Sequence, residues 1–191
     1  MPTMTAQTTA TMDQAWQAAI AQAENMALPE YLWDRPQVQG FTIDGPISRD
    51  LDDAIWIEET KEGATVSVHI ADVAELVTVG SAVDKVALAR TQTNYYGWGN
   101  EPMIPHALSE GMLSLLEGQR RPTLTVKISL NEHAEIVETE MFESWLASKK
   151  KLSYERADFI AQNPKAKFHR QFKLYQTWAD KLSQQRESMG S

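Results

Sequence analysis

Four aspartates occur within ten positions of the sequence, inside the segment FTIDGPISRDLDDAIWIE. They are Asp44, Asp50, Asp52 and Asp53, and Arg49 is the only basic residue in that segment. Carboxylates this close repel one another unless a cation neutralises them, and their oxygens are ligands for magnesium, manganese or calcium. The spacing therefore predicts a site for a divalent cation.

The spacing also constrains how the carboxylates can meet. A turn at Gly45 can fold Asp44 back towards the other three, whereas in an extended chain Asp53 would face away from Asp50 and Asp52. A turn or bulge is therefore needed for all four to converge. Magnesium takes few protein carboxylates and completes its shell with water and substrate phosphate, so the set could serve one or two ions. Two ions would stabilise the attacking and leaving oxygens of a phosphodiester cleavage.

The segment has two other interpretations. A calcium loop of the EF-hand kind does not fit, because the central glycine and the flanking helices are missing. A solvated acidic turn is the plainer alternative. Apolar residues interleave with the acids, which favours a position at the edge of a hydrophobic core; they are Phe41, Ile43, Leu51, Ala54 and Ile55.

The elements that would position these acids read as an α+β fold, a mixed or antiparallel sheet with flanking helices. Two β-hairpins are predicted. The apolar residues 55–57 lead through a turn at 61–63 to the alternating run 65–70, and the alternating run 123–130 is followed by the returning run 136–142. Residues 91–107, with Gly97, Gly99 and two prolines, are expected to form an irregular loop.

Helices are predicted from apolar periodicity and from capping residues. Ser81 with Asp84 resembles a capping box, and Ser153 is expected to cap a helix that Pro164 ends. The predicted helical ranges are 12–26, 82–90, 153–162 and 166–187. The apolar face of the last helix needs a covering surface, either the sheet or something beyond the chain's end. Residues 1–10 are expected to be a disordered, threonine-rich tail.

Composition narrows the class of protein. The 191 residues include no cysteine, which excludes disulfides and thiolate zinc sites. Neither a signal peptide nor an apolar stretch of membrane-spanning length is visible, so a soluble, cytoplasmic protein without a membrane partner is expected. The net charge of −8 is uneven: residues 1–144 hold 8 basic and 22 acidic residues, and residues 145–191 hold 10 and 4. The basic flank could hold a polyanion or could be a solvated helix surface.

Several blocks in series make the sequence resemble the catalytic domain of the ribonuclease II, or RNB, family. They are TIDGPISRDLDDA, VHIADV, GSAVDKVALAR, TNYYGWGNEPMIPHALSEGMLSLLEG, RRPTLTVKISL and KKKLSYERA, within about residues 39–160. The resemblance implies a tail, helix and linker over 1–37 and the front portion of a catalytic domain over 38–191. It also implies that a further arginine, a glutamate and an oligonucleotide-binding barrel belong to a later part of such enzymes.

The resemblance assigns roles to individual residues. Asp44 and Asp53 are expected to bind magnesium, with manganese as an alternative, and Asp50 to support this through water. Asp52 is expected to serve the chemistry itself, through a second ion or the attacking water. Among candidates for RNA binding, Tyr95 would stack on a base near the 3′ end, with Tyr96 as its alternative. Arg121 would contact phosphate or, equally, cap a strand.

The implied activity is hydrolysis of single-stranded RNA from its 3′ end, dependent on magnesium and releasing nucleoside 5′-monophosphates. Single strands are expected because bases must be splayed to stack on aromatic side chains. The alternative is a catalytically incomplete fragment that binds metal or RNA, or complements a missing C-terminal part. A regulator that retains the signature without nuclease activity is a third possibility, which the intact aspartate set argues against.

Overall fold

A computed structural model describes residues 6–188 and residue 190. Its strands are β1 (Gln37–Val38), β2 (Thr42–Asp44), β3 (Asp53–Glu59), β4 (Gly63–Ala71), β5 (Asn94–Tyr96), β6 (Gly99–Glu101), β7 (Arg120–Asn131), β8 (Ile136–Ala147) and β9 (Lys151–Ser153). Five form one sheet in the order β1-β8-β7-β4-β3, in which β1 and β8 are parallel and the other neighbours antiparallel. The pairs β2-β9, parallel, and β5-β6, antiparallel, complete the strands.

The helices pack around this mixed sheet and confirm the predicted α+β class. They are α1 (Ala6–Glu24), α2 (Val73–Leu76), α3 (Ala82–Arg90), α4 (Tyr154–Gln162) and α5 (His169–Ser188), with a 3-10 helix at Glu30–Asp34 and a π-helical segment at Ala107–Met112. Within residues 6–188, none of the helices has the length and apolarity needed to cross a bilayer.

Local sequence signals account for much of this layout. Both predicted hairpins are confirmed, as β3-β4 and β7-β8. Ser81 accepts a hydrogen bond from the Asp84 amide at 3.1 Å, and Ser153 accepts one from the Arg156 amide at 3.2 Å. Each serine satisfies an amide that the first helical turn leaves unpaired, which is why α3 and α4 begin where predicted.

Two predicted irregular segments are more ordered than expected. Residues 6–10 of the predicted disordered tail belong to α1, and residues 1–5 lie outside the described residues. The predicted loop at 91–107 contains the β5-β6 hairpin. That hairpin has only three residue pairs and closes through Gly97 and Trp98, so its strands are too short for alternation to reveal them.

Both terminal helices are covered by the rest of the domain. On α1, Ala19 and Ala23 are fully buried in one hydrophobic cluster with Val83 of α3, so the predicted segment 1–37 shares a core with the later elements of the chain. On α5, Phe172 and Trp178 are each 4% exposed and pack in clusters that include sheet residues. The sheet is therefore the surface that the apolar stripe of the last helix required.

Helix α5 also protects the outer edge of β3. The Tyr175 hydroxyl donates to the carbonyl of Ile55 at 2.9 Å, and the Gln171 amide donates to the carbonyl of Ile57. The bond to Ile57 occupies a carbonyl that an edge strand would otherwise leave open to pairing with another chain, whereas the Ile55 carbonyl also accepts from the Phe41 amide at 3.0 Å. Both bonds from α5 also fix the strand whose first residue is Asp53.

One buried histidine predicts a pH dependence of stability. His69 on β4 is 1% exposed, its ring lies 2.8 Å from Thr125 Oγ1 and 2.9 Å from the Gln39 carbonyl, and burial lowers its pKa to about 4. Between pH 6.5 and 4 the unfolded chain binds a proton that the folded chain does not. Stability is therefore expected to fall with acidification in that window, by up to about 1.4 kcal/mol per pH unit. Urea unfolding of the wild type against His69→Gln checks this; equal slopes against pH in both would contradict it.

Candidate active site

The four aspartates lie where two strands meet. Asp44 is the last residue of β2 and Asp53 the first residue of β3. The strands are joined just beside them, because Phe41 and Ile55 exchange both backbone hydrogen bonds at 3.0 Å. Asp50 and Asp52 lie on the connection between the strands, so one irregular loop and two strand ends carry the whole set.

A turn at the start of that connection matches the one predicted from Gly45. The Ser48 amide donates to the Gly45 carbonyl at 3.2 Å, and the Gly45 amide donates to Asp44 Oδ1 at 2.9 Å. The ammonium group of Lys151, on β9 beside β2, donates to the Ser48 carbonyl. The loop therefore turns back at its beginning and is fastened to the neighbouring strand pair.

Ser114 holds the loop on both sides of Asp50. This serine is fully buried; its hydroxyl donates to the Arg49 carbonyl at 2.6 Å and accepts from the Leu51 amide at 3.1 Å. The next residue, Leu115, donates its amide to the Leu51 carbonyl at 2.9 Å. Because the peptide groups before and after Asp50 are both bonded, the backbone under that carboxylate has one orientation. Farther on, the Asp52 carbonyl accepts from the Ala71 amide at 2.8 Å.

Arg121 in turn supports Ser114. The arginine is 8% exposed, and its Nε donates to the Ser114 carbonyl at 2.9 Å. Its terminal nitrogens donate to the carbonyls of Arg120 and Gly111 and to the side chain of Gln119. The sequence left phosphate contact and capping of a strand open for Arg121. In the structure the guanidinium is buried and bonded to carbonyl groups within the protein, an arrangement that braces Ser114.

The electrostatics of the acids point to an uncompensated negative cluster. Burial raises the pKa of Asp52, and the charges of Asp50, Asp53 and Asp44 raise it further. Burial and then the charge of Asp44 raise the pKa of Asp53. In the described part of the chain, the ion pairs formed by lysine, arginine and histidine all involve other carboxylates. Each shift means that the ionised form is disfavoured until something positive approaches.

The four carboxylates were predicted to converge on a cation site that could serve one or two ions. Among residues 6–188 and 190, no group of three or more acidic, histidine or cysteine side chains is placed to hold a metal ion. Asp50 is bonded to the Tyr95 hydroxyl. The donor set still suits a hard divalent cation, since magnesium accepts one or two carboxylates and takes its remaining ligands from water and phosphate. Asp53 feels the charge of Asp44 across the two strand ends, so these two carboxylates lie near each other.

Tyr95 connects the β5-β6 hairpin to the acids. Its hydroxyl donates to Asp50 Oδ2 at 2.5 Å, although the residue is 68% exposed. That hydrogen bond, then burial, raises the pKa of Tyr95 to about 12. The predicted RNA-stacking residue and the predicted metal-supporting residue are thus in direct contact. Tyr96, the alternative, points away and donates to Glu101 at 3.2 Å.

Two Tyr95 variants separate the roles of its hydroxyl and its ring. Tyr95→Phe removes the bond to Asp50 but keeps an aromatic face, so we expect nearly unchanged RNA affinity and a reduced cleavage rate. Tyr95→Ala removes both, and we expect about tenfold weaker RNA binding, the lower end of what base–aromatic stacking contributes. Filter binding and gel-based cleavage assays check these outcomes. Equal RNA affinity for the alanine variant and the wild type would contradict the stacking role.

Sequence reasoning missed Ser114 and Lys151 as positioning residues. Both lie in blocks that carried the resemblance, SEGMLSLLEG and KKKLSYERA, but their types gave no chemical signal. A serine between leucines and a lysine in a run of three read as ordinary core and surface residues. Their roles depend on contacts across 63 and 103 positions of the chain, which spacing alone does not reveal.

Comparison with known proteins identifies the family of this chain. The model of the RNB domain matches residues 35–191. The chain belongs to the RNB family. Ribonuclease R of Mycoplasmopsis pulmonis is 38% identical over 123 residues, which are 64% of this chain and 17% of that protein. Exoribonuclease 2 of Aeromonas hydrophila is 35% identical over 156 residues, 76% of this chain and 23% of that protein. The chain thus aligns with less than a quarter of the length of these RNB relatives.

Solved structures have a similar fold. The structure of Mycoplasma genitalium RNase R in complex with ribose-methylated single-stranded RNA has a TM-score of 0.87 and 25% identity, covering 92% of this chain and 29% of that one. The yeast protein Ssd1, described as a pseudonuclease, has a TM-score of 0.69 at 20% identity, covering 82% of this chain and 20% of that one. The second likeness concerns the fold alone, and it shows that an RNB-like fold occurs in a protein described as a pseudonuclease.

Proposed function

We propose that this RNB chain carries the carboxylate site of a magnesium-dependent 3′-to-5′ exoribonuclease, which hydrolyses single-stranded RNA and releases nucleoside 5′-monophosphates. The observation that carries the proposal is the uncompensated aspartate cluster at the β2-β3 junction, with raised pKa values at Asp52 and Asp53 and with Tyr95 bonded to it. RNB relatives named as ribonucleases support the same class of reaction. The cytoplasmic location stays a prediction from the sequence.

Each residue of the cluster has a task in this proposal. Asp44 and Asp53 would hold a magnesium ion, or manganese in its place, at the junction of the two strands. A bound ion supplies Lewis-acid polarisation of the phosphate and a more acidic water. Tyr95 orients the terminal nucleotide by stacking, and Asp50 fixes the Tyr95 ring through the hydroxyl bond. Asp52, whose raised pKa reflects a crowded negative site, lies where it can hold a second ion or orient the attacking water.

A second candidate is a module that binds metal or RNA and requires further polypeptide, such as a C-terminal part of the same enzyme, for turnover. The finding that favours it is the placement of the acids, since no three of them in the described residues are arranged around one point. Additional ligands from RNA or from another segment would then complete the coordination shell.

Labelled RNA distinguishes the two candidates. A single-stranded RNA labelled at its 5′ end is incubated with the full chain and magnesium, and the products are separated on a denaturing gel and a native gel. The exoribonuclease predicts progressive shortening of the labelled RNA from its 3′ end. RNA that is retarded on the native gel but remains full-length supports the binding module. RNA that is neither retarded nor shortened contradicts both.

A further inference from the structure

The tip of the β5-β6 hairpin carries an aromatic side chain that the site described above does not use. Trp98 is 88% exposed, and its ring stacks on Tyr96 with centroids 5.1 Å apart and planes 4° from parallel. Tryptophan is a mostly buried residue in folded proteins, so a side chain this exposed has little of the stabilisation that burial provides. The parallel stack holds the ring in one orientation and leaves its outer face open.

The hairpin is built so that this face stays accessible. Trp98 lies between Gly97 and Gly99, and a Cβ atom added at either glycine would meet no atom within 4 Å. Tyr96 is held in turn by its bond to Glu101 on the paired strand. The stacked rings of Trp98 and Tyr96, called the plate below, are therefore held in one orientation with open space beside them. A protein partner would need a wider apolar surface, but the neighbouring residues of the hairpin are glycine, asparagine and glutamate.

The plate lies across the hairpin from the acid cluster. Tyr95 and Tyr96 are consecutive in β5, so their side chains leave opposite faces of the two-stranded ribbon. The Tyr95 face is fixed against Asp50, and the opposite face carries the Trp98–Tyr96 stack. A single strand whose 3′ end lies at the carboxylates can pass over this narrow hairpin. It then presents a base from farther along its length to Trp98.

We infer that the Trp98–Tyr96 stack is a second base-stacking subsite, which takes an unpaired nucleobase of single-stranded RNA upstream of the nucleotide at the carboxylates. The inference rests on the proposed function, because it assumes the same RNA substrate. Stacking on a flat ring accepts any base, so the subsite gives grip on longer RNA without sequence preference. A dinucleotide does not extend beyond the Tyr95 face and gains nothing from it.

The test observes the Trp98 side chain directly by nuclear magnetic resonance. The full chain is labelled with nitrogen-15, and the indole N–H signal of Trp98 is assigned as the one that Trp98→Phe removes. A short oligoadenylate is titrated in EDTA, which prevents cleavage. The inference predicts a saturable shift of that signal with the oligoadenylate and none with a dinucleotide. An unmoved Trp98 signal, including the case in which the chain binds no RNA, overturns the inference.

Variants give an independent readout. Trp98→Ala should weaken binding of the oligoadenylate roughly tenfold, and Trp98→Tyr should restore most of the affinity. Dinucleotide binding should be the same in the wild type and in both variants. Leu88→Ala, an exposed apolar residue on α3, is the matched control and should bind like the wild type. Equal affinity of Trp98→Ala and wild type for the oligoadenylate overturns the subsite, even if the RNA is degraded. A Trp98 shift in EDTA, combined with RNA that stays full-length in the separate magnesium assay, would instead support the subsite and contradict the exoribonuclease.

Discussion

The Asp52→Asn variant is expected to bind single-stranded RNA with wild-type affinity and to degrade it at least about a hundredfold more slowly. The amide keeps the size of the carboxylate but cannot supply its charge to a cation or to the attacking water, and one lost electrostatic contribution of this kind typically costs two to three orders of magnitude. The rate of mononucleotide release in magnesium, measured together with RNA affinity in EDTA, checks both halves of the prediction.

The same substitution is expected to lower the cleavage rate but to raise the stability of the metal-free protein. Burial and three neighbouring carboxylates raise the pKa of Asp52, so removing its charge should raise the melting temperature in EDTA. Magnesium should then stabilise the wild type more than the variant. Asp180→Asn, an exposed aspartate on α5, is the matched control and should behave like the wild type in both assays. Normal turnover by Asp52→Asn would remove Asp52 from the mechanism.

Arg121→Met is expected to lower the free energy of unfolding by about 3 kcal/mol. Methionine fills much of the same space, but it removes the guanidinium donors from the part-buried Gly111 carbonyl and from the Ser114 carbonyl, which keeps only the Leu116 amide, and a hydrogen bond from a charged group contributes about 1.5–3 kcal/mol. Because Ser114 holds both peptide groups around Asp50, the variant should also turn over RNA more slowly at saturating substrate. Urea unfolding and initial rates at high RNA concentration measure the two effects.

Arg120→Met provides the control for Arg121. Arg120 is the exposed neighbour, and its guanidinium lies 5.0 Å from the Trp145 ring centroid, a contact worth about 0.5–1 kcal/mol. Its loss should cost at most that amount and leave turnover unchanged. If Arg121 instead contacts phosphate, Arg121→Met would unfold like the wild type while its RNA affinity falls and its salt dependence flattens. That pattern would contradict the bracing role.

Local signals explain why so much of the fold could be predicted from the sequence. The β3-β4 and β7-β8 hairpins follow from period-two alternation of apolar residues in β4 and β7, and Ser81 and Ser153 mark helix starts through bonds only three residues long. The β5-β6 hairpin is too short for such a pattern. The packing of α1 on α3 and of α5 on the sheet depends on partners that no window of sequence contains.

In the candidate site, too, some features could be predicted from local sequence and others depend on contacts between distant residues. Residue type and spacing identified the aspartates, and resemblance to the RNB family selected Tyr95. The role of Arg121 was left open, because an arginine beside a proline can face solvent or the core, and only burial separates the two. The sharing of a cation site by the four carboxylates stays a prediction; in the described residues no three of them are placed to hold an ion, and Asp50 is bonded to Tyr95.

The proposed mechanism requires a divalent cation at the β2-β3 junction. Paramagnetic manganese tests directly whether a cation binds there. Substoichiometric manganese is added to the nitrogen-15-labelled full chain, and the broadening of each amide signal is recorded. Cation binding at this junction predicts that broadening is strongest at residues 44–53 and at Tyr95, and that Asp53→Asn weakens the broadening. Broadening that instead follows the acidic strand β8 around Glu138 and Glu140, or that is spread evenly over the surface, would contradict it.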